Sequence, residues 1–132
     1  MKNDVKGIGM EKKILIVDDE DAIRELIRLT LEDEGYELYE ALDGQQALLK
    51  AQEIKPDLII LDVMMPRVVG YMVCREIKEN PETQNSAILF VSSRSSRTAL
   101  NTMEMEGGDD YIIKPFEPSE LRAKVKKLLG LD

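Results

Sequence analysis

Three short apolar runs punctuate the chain: Ile14-Leu15-Ile16-Val17, Leu58-Ile59-Ile60-Leu61 and Ile88-Leu89-Phe90-Val91. Each has strand length and carries β-branched residues. None alternates polar with apolar, so each predicts a strand buried on both faces, as in a parallel sheet. Two weaker strands are predicted at Tyr36–Ala41 and Tyr111–Ile113. The first mixes Glu37 and Glu40 with Tyr36, Leu38 and Tyr39, and the second is short. Both properties suit the edges of a sheet.

Helical spacing fills the intervals. Ile23, Leu26, Ile27, Thr30 and Leu31 recur at i, i+3, i+4, i+7 and i+8, with Gly35 beyond them as a stop. Gly44–Glu53 brings Ala47, Leu48, Ala51 and Ile54 to one stripe. Tyr71–Glu79 does the same with Val73, Cys74 and Ile77 before Asn80-Pro81 ends it. Ser96–Met105 is less regular, with Ala99, Leu100 and Met103. Pro118 opens a last helix through Leu121, Val125, Leu128 and Leu129, ending near Gly130.

A β-α unit repeated five times predicts an α/β domain with helices on both faces of a parallel sheet. Right-handed crossovers restrict the topology, and the three buried strands must be central. The order 2-1-3-4-5 satisfies both, a doubly wound five-stranded parallel sheet similar to the flavodoxin-like fold, with five helices. Residues 1–11 read as a flexible N-terminal extension and residues 12–130 as one domain.

Composition narrows the chemistry. The 132 residues suit a single domain. Lys and Arg number 18 against 26 Asp and Glu, a net charge of −8, which argues against direct nucleic-acid binding. Histidine is absent, which removes His-assisted nucleophiles and imidazole metal sites. Cys74 is the one cysteine, so no internal disulfide forms and a cytoplasmic location is expected. No apolar run reaches the roughly 18 residues of a membrane span, and Met1–Glu11 lacks the apolar region of a signal peptide. Carboxylate, Lys, Ser/Thr and Tyr remain to do chemistry.

In such a sheet, ligands bind beyond the carboxyl ends of the strands. Strand one runs into Asp18-Asp19, strand three into Asp62, strand four into Ser92 and strand five into Lys114-Pro115. Asp57, Asp109 and Asp110 precede their strands and belong at the opposite end. Three crowded carboxylates raise one another's pKa, and a divalent cation relieves the repulsion. Oxygen ligands alone point to Mg²⁺, with Mn²⁺ or Ca²⁺ as alternatives. Each aspartate taken singly reads first as a solvated strand end or helix N-cap, and the conjunction with Ser92 and Lys114 at one sheet edge reverses that. Ser92 alone is equally a hydroxyl bonded to backbone. Lys114 alone is a surface lysine, but Pro115 restricts its backbone, and beside the carboxylates it could grip a phosphoryl oxygen.

Three segments then carry a resemblance. Ile14-Leu15-Ile16-Val17-Asp18-Asp19-Glu20, the stretch Pro56 to Pro66 around Asp62, and Asp110-Tyr111-Ile112-Ile113-Lys114-Pro115-Phe116 together resemble the receiver domain of a two-component response regulator, of the chemotaxis-receiver kind. The likeness covers about residues 12 to 129. It implies that Asp62 is the phosphoacceptor, taking a phosphoryl group from a phosphohistidine on a sensor histidine kinase or phosphotransfer protein. It implies that Asp18, Asp19, Asp62 and the backbone carbonyl of Met64 hold Mg²⁺ and that Lys114 binds the phosphoryl group. Ser92 and Tyr111 would form the switch, although Tyr111 is equally an ordinary edge-strand tyrosine. Such a domain assists its own phosphorylation and dephosphorylation and turns over no independent substrate. Its output would be a downstream protein target or an attached output domain, and a homodimer through helix four, strand five and helix five fits the family.

The chain departs from the pattern in places. Val69 precedes Gly70 where an aspartate is usual, and Arg67, Val68 and Val69 make that turn bulky. Glu106 replaces a small residue and Gly108 an alanine, so the fourth helix and the face around it look loosely specified. Two other readings compete. An aspartyl phosphatase of the haloacid-dehalogenase type needs a second aspartate two residues beyond Asp62, where this chain has Met64. A scaffold that has lost phosphorylation would keep the fold without needing these side chains.

Overall fold

The computed structural model describes residues 12–63, 70–93 and 97–131. The elements are β1 (Lys13–Val17), α1 (Asp21–Leu31) with a 3-10 turn at Glu32–Glu34, β2 (Glu37–Ala41), α2 (Gly44–Ile54) and β3 (Leu58–Asp62). They continue as α3 (Gly70–Glu79), β4 (Ala87–Ser92), α4 (Arg97–Met105), β5 (Asp110–Ile113) and α5 (Pro118–Leu128). All strand pairings are parallel, in the order β2-β1-β3-β4-β5. The predicted order and five helices are therefore present. The extension at 1–11, the turn residues Met64 to Val69, and Ser96 lie outside the described residues.

The apolar runs form the core because the pleat sends alternate residues to opposite faces. Leu15, Val17, Ile59, Leu61, Ile88 and Phe90 pack with Ala47 and Ala51 of α2, Val73, Cys74 and Ile77 of α3 and Met103 of α4. Ile14, Ile16, Leu58, Ile60, Leu89 and Val91 pack with Ile27 and Leu31 of α1 and Leu121 and Val125 of α5. Each such aliphatic side chain contributes about 1.5–3 kcal/mol when fully buried. β1, β3 and β4 are buried almost throughout, whereas β2 and β5 stay partly exposed at the edges.

Element ends follow local chemistry. Asp43 caps α2 by accepting from Gln46 N at 2.8 Å, while Gln46 Oε1 accepts at 3.1 Å from the N–H of Leu42, the residue before the cap. Gly35, at φ 87°, turns the chain after the 3-10 segment and into β2, which begins one residue later than the periodicity predicts. β5 begins one residue earlier, at Asp110. At the amino ends of the strands, Asp57 Oδ2 accepts from Lys13 N and Asp109 Oδ2 from Ile88 N, each at 2.8 Å. These aspartates close the sheet's far edge, as their position before the strands predicts.

Candidate functional site

Strand register assembles the site. Val17 pairs with Ala41 and Leu61, and Asp62 with Val91, while Ser92 pairs with Ile113. The residues that follow, or end, these strands must therefore meet at one edge. Asp18, Asp19 and Asp62 offer carboxylate oxygens within 4.8 Å of one another. Lys114 Nζ lies 3.6 Å from Asp18 Oδ2, 3.8 Å from Asp62 Oδ2 and 3.9 Å from Glu20 Oε1. Asp18 is 1% exposed and Asp62 5%, whereas Asp19 faces solvent.

The two carboxylate oxygens of Asp18 stand in different surroundings. Its Oδ1 accepts from Glu20 N at 2.9 Å and shapes the turn into α1. Its Oδ2 is buried without a hydrogen-bond partner. Burial pushes the carboxyl up from 3.8 to about 6, against the Glu20 N–H, which lowers it. Asp62 and Asp19 add to the rise and Lys114 offsets part of it. An orphaned buried oxygen in an oxygen-only donor set fits a hard divalent cation. Met64, whose carbonyl the resemblance assigns to the same ion, lies outside the described residues.

Ser92 is buried at the last position of β4, and its carbonyl accepts from Lys114 N at 2.7 Å. That bond ties the lysine's backbone to the strand bearing the serine. The Lys114–Pro115 peptide is cis. Tyr111 is 36% exposed, with Lys124 Nζ 5.7 Å from its ring centre. It lines a cavity of about 270 Å³ with Leu100, Met103, Glu104 and Gly108, on the α4–β5 side rather than among the carboxylates.

Some contributors were not evident from spacing. Arg24, 8% exposed, donates from NH1 to the Asp18 carbonyl at 2.9 Å and from Nε to Glu40 Oε1 at 3.0 Å, and pairs with Asp21. Arg28 Nε holds the other Glu40 oxygen at 2.5 Å. Burial raises the Glu40 pKa, but the bonds from Arg28 and Arg24 outweigh it and hold the carboxyl below its usual range. The one available signal was an arginine beside the apolar stripe of α1, which reads as an ordinary surface position. Gly70 is needed for a close approach: a Cβ there would stand 2.5 Å from the Asp62 carbonyl oxygen and 2.9 Å from Val63 Cα.

The departures at 106 and 108 are accommodated by their neighbours. Glu106 lies just past α4 and accepts from Arg75 NH2 of α3 at 2.5 Å, while its carbonyl accepts from Cys74 Sγ at 3.2 Å. Burial pushes the Cys74 thiol up to about 11. A Cβ on Gly108 would stand 2.5 Å from two atoms of the Phe90 ring. Phe90 in turn meets Tyr71 edge-on at 5.5 Å. The region is thus tied to α3 and β4 rather than loosely specified.

Comparison with known proteins places the fold in a family. The response regulator receiver domain family matches residues 14–126. The chain belongs to that family. As a receiver domain of the two-component class, it is 41% identical over 120 residues to the phosphate regulon transcriptional regulatory protein PhoB of Rhizobium meliloti, covering 91% of this chain and 53% of that protein. The chain spans about half the length of the curated relatives it matches. The receiver fold is shared with the chemotaxis protein CheY4 of Vibrio cholerae at TM-score 0.84 and 32% identity, over 89% of this chain and 98% of that one. It is also shared with the receiver domain of sensor histidine kinase PA1611 of Pseudomonas aeruginosa, at TM-score 0.83 and 27% identity, over 90% and 98% of the two chains. That structure carries a magnesium ion in its active-site cleft. Among the described residues of this receiver, no helix is long and apolar enough to cross a membrane.

Proposed function

We infer that this receiver domain accepts a phosphoryl group on Asp62 with Mg²⁺ and changes the surface around Ser92 and Tyr111 in response. One observation carries the reading: the Asp62 carboxylate lies 3.8 Å from Lys114 Nζ and within 4.8 Å of the Asp18 and Asp19 oxygens, with Asp18 and Asp62 buried, in a chain without histidine. A carboxylate oxygen of Asp62 attacks the phosphorus of a partner kinase's phosphohistidine. The O–P bond forms as the P–N bond breaks, and the imidazole leaves with the electron pair. Lys114 meets the charge on the transferring oxygens, so no general base is required. Asp18, Asp19 and Asp62, with the Met64 carbonyl, would hold the Mg²⁺, which when bound neutralises charge on phosphate and carboxylates alike.

Ser92 and Lys114 are coupled by the bond between their backbones, so a phosphoryl group gripped by Lys114 draws on the strand that carries Ser92. Tyr111 is half-exposed on the adjoining strand and is placed to respond. This is a local charge change read by a two-state element. The chain receives and releases one phosphoryl group and turns over no separate substrate. Its partners are a sensor histidine kinase or phosphotransfer protein upstream and a protein target or output domain downstream, in the cytoplasm. A pair of receivers can associate through α4, β5 and α5.

The test is incubation with a small-molecule phosphodonor and Mg²⁺, followed by site mapping. The expected result is label on Asp62, absent from Asp62→Asn and from wild type in chelator. Label retained elsewhere in the Asn variant would overturn the assignment.

A further inference from the structure

We propose that Arg24 is a positioning residue for the cation site, holding the Asp18–Asp19 turn in its ligating shape through the Asp18 backbone carbonyl. The inference rests on the reading that Asp18, Asp19 and Asp62 bind a divalent cation. Its starting point is a cost. The Arg24 side chain is only 10% exposed, so its charged end has given up water that its contacts must replace. Those contacts join three elements: the Asp18 carbonyl at the end of β1, Glu40 on β2, and Asp21 in its own helix.

The geometry around Asp18 gives Arg24 its role. Asp18 N donates to Ala41 O at 3.3 Å, and Oδ1 accepts from Glu20 N at 2.9 Å. Arg24 NH1 holds the carbonyl at 2.9 Å. Apart from Oδ2, which lacks a hydrogen bond and lies 3.6 Å from Lys114 Nζ, every polar atom of Asp18 is thus fixed. Arg24 reaches it from the first turn of α1, where its own N–H bonds Glu20 O at 3.1 Å, and helical side chains lean back toward the helix start. The planar fork spans two acceptors at once, Asp18 O and Glu40 Oε1, which a lysine ammonium does not do in one plane. Groups that orient ligands in this way commonly set metal affinity.

The experiment is titration with Mn²⁺ alone, with free Mn²⁺ read by electron paramagnetic resonance and folding checked by circular dichroism. Arg24→Lys and Arg24→Met are expected to bind Mn²⁺ on the order of ten- to a hundred-fold more weakly than wild type. Arg28→Met, which loses its contact to Glu40 and none to Asp18, is expected to bind Mn²⁺ as wild type does. A merely structural Arg24 would lower thermal stability while leaving Mn²⁺ affinity of the folded protein unchanged, and that result overturns the proposal. Equal weakening in Arg28→Met also overturns it, since general loosening of α1 against β2 would then be the cause. Absence of saturable binding in wild type overturns the cation-site reading itself. If Arg24→Met does not fold, Arg24→Lys decides by the same criteria.

Discussion

Asp18 divides its carboxylate, one oxygen shaping a turn and the other buried without a hydrogen bond, where the proposed cation would sit. The second has a measurable cost in metal-free protein. Its folded pKa of about 6 stands above the ordinary 3.8. Between about pH 4 and 6 the folded chain keeps a proton that the unfolded chain has lost, so this residue's contribution to stability falls as pH rises through that window. Above it the penalty is complete, on the order of 2–3 kcal/mol. Asp18→Asn in chelator should therefore match wild type near pH 4 and exceed it by about that amount near pH 7. Urea unfolding at a series of pH values checks this, and a difference independent of pH would refute it. At this scale the aspartates, Ser92 and Lys114 were readable because position before or after a strand decides the end of the sheet. Arg24 was not, because its role depends on which carbonyl its fork meets across β1 and β2.

The stretch from α3 through β5 shows how one element's sequence answers another's. Gly108 leaves room for the Phe90 ring, which would otherwise sit 2.5 Å from a Cβ. Gly108→Ala should overpack this site and cost about 1–3 kcal/mol, measured by urea denaturation. Phe90→Leu in the same chain should recover much of that loss relative to Phe90→Leu alone, giving a coupling free energy in a double-mutant cycle. Additive losses would mean that the two residues do not meet. Read singly, Glu106 and Gly108 looked like lapses in the pattern of the fourth helix. They fit once Arg75, Cys74 and Phe90, from α3 and β4, are brought against them. Sequence spacing describes contacts within an element well and contacts between elements poorly, since the latter depend on crossing geometry.

For the whole molecule, the net charge of −8 sets a background that a divalent cation should relieve locally. Mg²⁺ at ten times its Kd should stabilise the fold by about 1.4 kcal/mol, a rise in Tm of several degrees for a domain of this size. Sodium chloride at matched ionic strength should not reproduce it, and Asp19→Asn should lose most of it. Differential scanning calorimetry distinguishes these, and an equal response to both salts would reduce the effect to general screening.

The amino-acid sequence by itself determined the class of fold, the strand order and the end of the sheet where chemistry gathers. Those follow from local quantities: which runs are apolar on both faces, where helical spacing starts and stops, and which polar residue ends each strand. Only the tertiary structure decided that Asp18 keeps one buried oxygen without a hydrogen bond, that Arg24 of α1 joins the Asp18 backbone carbonyl to Glu40 of β2, and that Gly108 makes space for Phe90. Each of these depends on distances of a few ångströms between segments far apart in the chain. Such distances come from how the helices settle on the sheet, and no single segment encodes them.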